Sequence, residues 1–215
     1  MNTNTLNTRR AVLRVSLATF AALAGTLAAP AFAAPIKAAP EQATFAAGCF
    51  WSMEAIFKQL KGVEKVEPGY AGGKVARPSY EQVETGMTGH AETINITFDP
   101  QTISYSQLLQ VLLTVRNPTT LNAQGNDRGP QYRSVIFYRT PAQKKGAEAV
   151  IADFANRRVW RGRIVTTVEP YANFYSAEAY HYDYFNKHPN EGYCAYVIAP
   201  EIKEFHAKFA SLLKK

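Results

Sequence analysis

Sulfur and imidazole are scarce in this chain, which has two cysteines, three methionines and four histidines among 215 residues. No two of the cysteines and histidines stand at a metal-ligand spacing, so no metal site is expected. Low-complexity tracts and internal repeats are also missing. With 47% hydrophobic and 19% charged residues, the chain has the means to bury the core of one ordinary globular domain, and disorder is not its default. Strong charge asymmetry is lacking as well. The basic residues are scattered, and their densest cluster, Arg157, Arg158, Arg161 and Arg163, reads as a solvated helix end, which excludes nucleic acid as a partner.

Acidic residues are absent from the first 33 positions, and that stretch differs from the rest of the chain. Arg9, Arg10 and Arg14 precede an Ala-rich apolar run from Val15 to Leu27, and Ala31-Phe32-Ala33 supplies a small-x-small cleavage pattern. A signal peptide cleaved after Ala33 is expected, giving a periplasmic or secreted protein. The apolar run is too short for a membrane span, so none is expected once the leader is gone. The Arg9-Arg10 pair leaves the export route open between general and twin-arginine secretion. Loss of three arginines brings 24 basic residues to 21 against 17 acidic ones, a mature net charge of +4.

After a Pro/Ala-rich linker at 34–42, one domain at 43–215 is expected. Residues 43–47 read as a strand, and Phe50, Met53, Phe57 and Leu60 form the apolar stripe of a helix ending at Gly62. "VEKVEPGYAGG" and "HAETINITFDP" read as strands, and Ser104–Val115 as a second helix. The segment 117–131, "NPTTLNAQGNDRGPQ", has the turn-residue density of a long functional loop. "YRSVIFYR" and "RIVTTVEP" are further strands, with helices at 142–156 and 201–213. The order predicts an α+β two-layer sandwich of ferredoxin-like type, with helices packed mainly on one face of a mixed sheet.

Cys49 falls at a strand-to-helix junction, where free backbone N–H groups and the helix dipole favour a thiolate. An inert buried cysteine is the competing reading, and in an exported protein so is a structural Cys49-Cys194 bridge. In "AETINITF", the period of two puts Glu92 on the same face as Ile94, Ile96 and Phe98. An inward carboxyl is desolvated and held towards its acid form, unless it reaches solvent or a basic partner at the strand entrance. Among twelve tyrosines, Tyr70, Tyr80 and Tyr132 sit beside Gly- or Pro-bearing loops, where a phenol donates to a polar oxygen without ionising. Phe50 and Trp51 offer an apolar cradle beside the thiol.

"GCFWSME" (48–54), "GMTGHAETINITFDP" (86–100), "QGNDRGPQYRS" (124–134) and "HPNEGYC" (188–194), in that order, resemble the A-type peptide-methionine sulfoxide reductases. The resemblance implies that Cys49 attacks the sulfur of methionine S-sulfoxide and is left as a sulfenic acid. It implies that Glu92 protonates the sulfoxide oxygen, that Tyr80 and Tyr132 hydrogen-bond it, and that Phe50, Trp51 and Asp127 bind the substrate. Cys194 is then the resolving cysteine, forming a disulfide with Cys49 that a thioredoxin-like donor reduces. No bound cofactor is implied. The expected partners are oxidised proteins or peptides and that donor, and the expected state is a monomer.

Three positions depart from the family's pattern: Ser52 stands where glycine is usual, Asn117 where aspartate is common and Ala123 where arginine is frequent. Ser52 is expected to alter packing or hydrogen bonding beside the thiol. His181 and His188 are given no catalytic part. Two other classes compete, an exported Cys-His hydrolase using His90 or His181 and a Tyr-rich binding domain stapled by one disulfide.

Overall fold

The computed structural model describes residues 38–214, so the expected leader and its cleavage site lie outside the described residues. The first strand, β1 (Glu41–Ala46), begins inside the segment assigned to the linker, because Glu41 and Gln42 pair with Phe98 and Thr97. Gly48, at φ +82°, turns the chain into α1 (Phe50–Phe57). A Cβ on Gly48 would sit 2.5 Å from Gln124 and 2.6 Å from Arg116, so no other residue fits immediately before the thiol. α1 stops one turn earlier than the apolar stripe predicts, and Leu60 instead forms an isolated bridge with Leu213.

The chain continues through β2 (Val63–Ala71) to the five-residue helix α2 (Tyr80–Glu84). Nothing in the apolar periodicity announces α2. A reciprocal capping box between Ser79 and Gln82 starts it, which satisfies two N-terminal backbone donors at once. Then come β3 (Ala91–Phe98) and α3 (Tyr105–Val115), the latter opened by a second capping box, Ser104 with Gln107. The long polar loop folds into a small hairpin, β4 (Ala123–Gln124) with β5 (Asp127–Arg128), and a 3-10 turn at Pro130–Tyr132.

β6 (Val135–Tyr138) is followed by α4 (Pro141–Asn156), whose N-cap is Thr140. The strand expected over 163–170 is ordered as β7 only at Thr167–Pro170. β8 (Phe174–Ser176) and α5 (Tyr184–Lys187) are short elements that the sequence pattern does not mark. A π-helical turn, Cys194–Ile198, leads into α6 (Ala199–Phe209), which starts two residues before its expected position.

The main sheet has six strands in the order β7-β6-β1-β3-β2-β8, antiparallel except for the parallel β6/β7 pair. This is the expected α+β architecture with a mixed sheet. Phe45, Ile94, Ile96 and Phe98 join residues of α1, α3, α4 and α6 in one large core. A small second cluster of Ala46, Ala71, Ala91, Val135 and Phe137 covers part of the other face. β3 is therefore buried on both sides, and its alternation records two kinds of interior. Its polar positions are satisfied within the structure, as where Asn95 accepts hydrogen bonds from Thr44 and Arg139.

Candidate active site

Cys49 is the N-cap residue of α1 and is buried. The backbone N–H groups of Trp51 and Ser52 point at its sulfur and favour the thiolate. They are outweighed. Burial above all, with Glu92 adding to it, pushes the thiol well above its ordinary value, so Cys49 is held as a thiol rather than the expected thiolate. Part of the reason lies in α1 itself, whose first free N–H, that of Phe50, is given to Glu92 Oε2 at 2.9 Å.

Glu92 lies on β3 opposite Tyr70 of β2, and the residue is 2% exposed. Burial is the main force raising its pKa well above the usual carboxyl range. The charges of Glu84 and Asp127 and a hydrogen bond to Glu84 add to this, while the Phe50 N–H opposes it. Glu92 is therefore held towards its acid form. Tyr80 and Tyr132 carry phenols pushed up by burial and then by Glu92, so both are hydrogen-bond donors there. Tyr132 donates to Glu84 at 3.0 Å, and Tyr193 donates to Asp127 at 2.6 Å.

The apolar side is a stack of rings. Phe50 lies parallel to Tyr80 with centroids 6.5 Å apart, and Trp51 stacks on Tyr184 at 3.7 Å. His181 is buried against Phe50 and Tyr80, and its Nδ1 accepts the Trp51 indole N–H at 3.0 Å. Burial lowers its pKa, which suits that acceptor role. His90 is engaged by the Gly73 N–H and the Val75 carbonyl. Neither histidine hydrogen-bonds the thiol, so the Cys-His hydrolase reading lacks its base.

Ser52 finds its partners on the far side of α1. Its hydroxyl is fully buried, donates to Glu201 of α6 and accepts from Arg116 Nη1 at 3.0 Å. Arg116 also binds Glu201 at 2.6 Å and the Ala47 carbonyl at 2.8 Å. The departure from the family's glycine thus links the thiol's helix to the last helix. Two residues on, buried Glu54 accepts the Asp183 N–H at 2.8 Å and pins the segment that carries Tyr184.

Cys49, Phe50, Trp51, Tyr80, Glu92, Asp127 and Tyr132 all line one cavity of about 210 Å³, together with Tyr193. Cys194 is not in its wall, but follows Tyr193 directly. Both cysteines are free and buried. The Cys194 sulfur lies 3.8 Å from Glu191, and burial followed by that carboxylate raises its pKa. The Tyr184 phenol is raised by burial and Glu191, and then by Cys194 and Cys49 in turn, so it stands within electrostatic reach of both thiols. Among the described residues no cluster of three or more His, Cys, Asp or Glu is placed to hold a metal ion. No described helix is long and apolar enough to cross a membrane.

The sequence reading missed Tyr193, Glu84 and Arg116. Glu84 had a signal, since the Ser79-x-x-Gln82 pattern predicts a helix on which Tyr80 and Glu84 share one face at i and i+4. Tyr193 lies just ahead of a π-helical turn, which has no sequence signature. Arg116 has its partners 64 and 85 positions away, which leave no local trace.

Known proteins resemble this chain in sequence and in fold. The peptide methionine sulfoxide reductase MsrA of Polynucleobacter asymbioticus is 48% identical over 80% of this chain and 91% of its own length. That of Sulfolobus acidocaldarius is 50% identical over 79% and 95%. Among solved structures, reduced Mxr1 from Saccharomyces cerevisiae superposes with a TM-score of 0.68 at 33% identity, covering 73% of this chain and 90% of that one. Methionine sulfoxide reductase A of Corynebacterium diphtheriae also gives 0.68, at 32% identity, covering 73% and 78%. Residues 41–213 match the model of the family described as peptide methionine sulfoxide reductase, and this chain belongs to that family, in its A-type branch.

Proposed function

We propose that the chain reduces methionine S-sulfoxide, free or in peptides and proteins, with Cys49 as nucleophile and Glu92 as acid. The observation that carries this reading is one small cavity lined by a thiol, a buried carboxyl whose pKa is raised, three phenols and an aromatic wall. The methyl group lies against Phe50 and Trp51. The sulfoxide oxygen takes hydrogen bonds from Tyr80, Tyr132 and Glu92, where developing negative charge is met by preset donors. Asp127 holds the Tyr193 hydroxyl and so fixes the opposite wall.

As the Cys49 sulfur attacks, the substrate S–O bond breaks and the oxygen passes to Cys49 as S–OH. Glu92 gives its proton to that oxygen and receives the thiol proton in return. The substrate sulfur gains two electrons and Cys49 loses two. The Cys194 sulfur then attacks the sulfenic acid, forming the Cys49-Cys194 disulfide and releasing water. A dithiol protein of thioredoxin type restores both thiols by exchange. Removal of the leader after Ala33 places the monomeric enzyme in the periplasm or outside the cell, so the donor is one that works there. The amino-terminal sequence of protein recovered from the periplasm tests that placement, and an intact leader on cytoplasmic protein refutes it.

Replacement of Cys49 by Ser is expected to abolish methionine formation. Replacement of Cys194 by Ser leaves about one methionine per enzyme in a single turnover, because the sulfenic acid still forms. Sustained turnover by the Cys49 variant would falsify the mechanism.

A further inference from the structure

Glu84 stands outside the cavity wall, half-buried, at the end of α2. Two of the site's donors are turned on it: the Tyr132 hydroxyl at 3.0 Å, and Glu92 through a carboxyl–carboxyl hydrogen bond. It is held in place from both sides. The Ser79 capping box starts its helix, and the Gln131 amide donates to its own backbone carbonyl at 3.2 Å. Resting on the proposed function, we propose that Glu84 is a positioning residue for the reaction's acid. Its carboxylate engages Tyr132 and Glu92, and the sulfoxide oxygen takes both donors over when it enters.

The charges around Glu92 explain why a second carboxylate acts in this way. The groups that face it are Cys49 and the Phe50 N–H from α1, Tyr70 from β2, Tyr80 and Glu84 from α2, Asp127 from β5 and Tyr132 from the 3-10 turn. None of them is a cation. Two carboxyls side by side without a counter-ion hold one proton between them, and the more buried one keeps it. Glu92 is the more buried of the two. The charge of Glu84 makes an ionised Glu92 costlier, so the acid form persists to higher pH. Both donors also lie on an acceptor before substrate arrives, which limits how far they turn to reach a sulfoxide oxygen.

The test compares Glu84→Gln and Glu84→Ala with wild type in the mature enzyme, with a dithiol reductant and a methyl sulfoxide substrate. The kcat/KM is followed against pH. In parallel, the infrared carbonyl band of protonated Glu92, identified by its loss in Glu92→Gln, is titrated without substrate. In both variants the alkaline limb and the carbonyl band are expected to move down by about one pH unit, about tenfold in proton affinity. Glutamine keeps an acceptor for Tyr132 and alanine does not, so Glu84→Ala is expected to show a lower KM than Glu84→Gln. Limb and band that stay at their wild-type positions in both variants overturn the proposal. So does an equal loss of kcat/KM at every pH, which marks Glu84 as structural only. Wild-type enzyme that leaves sulfoxides untouched would sink the function instead, while the infrared titration still reads the carboxyl pair.

Discussion

The two sides of α1 each bury a polar cluster, and they settle their charge in opposite ways. On the far side, Arg116, Ser52 and Glu201 form a compensated network in which cation, hydroxyl and carboxylate satisfy one another. On the cavity side, Glu92 faces phenols, a thiol and two further carboxylates, without a cation. A carboxylate paired with a buried arginine ties helices together. One without a counter-ion takes up a proton, and that proton is available for chemistry. Partnering, more than burial, separates the structural cluster from the reactive one.

The sharpest way to break the contrast is Glu92→Gln. It keeps an acceptor for the Phe50 N–H and removes the transferable proton. Activity is expected to fall by about 10²–10⁴-fold while the melting temperature holds or rises. A variant that loses stability and activity together would show that Glu92 too is part of the scaffold. Arg116→Met should do the reverse at the other cluster. It strands the Ala47 carbonyl, Ser52 and Glu201, and about 2 kcal/mol of stability is expected to disappear in urea titration. Glu201 keeps 26% of its side chain exposed, which holds the loss below that of a fully buried pair.

Glu54 lies between the two cases. It has the Asp183 N–H and two nearby lysines, yet burial still raises its pKa to about 6. Its folded-state pKa lies above the unfolded value, so the folded protein binds the extra proton. Its contribution to stability is therefore greatest below the ordinary carboxyl range and is lost as pH rises through about 6, by at most about 2 kcal/mol. Glu54→Gln should flatten that decline in melting curves taken between pH 4.5 and 7.5; an unchanged slope would locate the decline elsewhere. The smallest effect is expected from Ser52→Ala, about 1 kcal/mol, with chemistry at Cys49 nearly intact. A much larger loss of activity would bring the far cluster into the reaction.

What the sequence made legible follows the range of the forces involved. The period of two placed Glu92 on the inward face of β3, because strand geometry fixes that parity whatever packs above it. The apolar stripe placed α1, and with it Cys49, Phe50 and Trp51. Helix ends were less legible. α6 opens at Ala199 and β1 reaches back to Glu41 because their ends are set by neighbours in space. The thiolate expected at the start of α1 fails for a similar reason: the helix end is a local feature, whereas the burial that opposes it comes from the surrounding core.

The capping box of α2 has a consequence for anyone who alters this protein's exterior. Gln82 is exposed and Ser79 half-exposed, and neither touches the cavity, so a mutagenesis library that protects the pocket would leave both open to change. Together they start the five-residue helix that carries Tyr80 at one end and Glu84 at the other. Solubility edits at these two positions belong with the active-site changes, and an activity screen is the measurement that should accompany them.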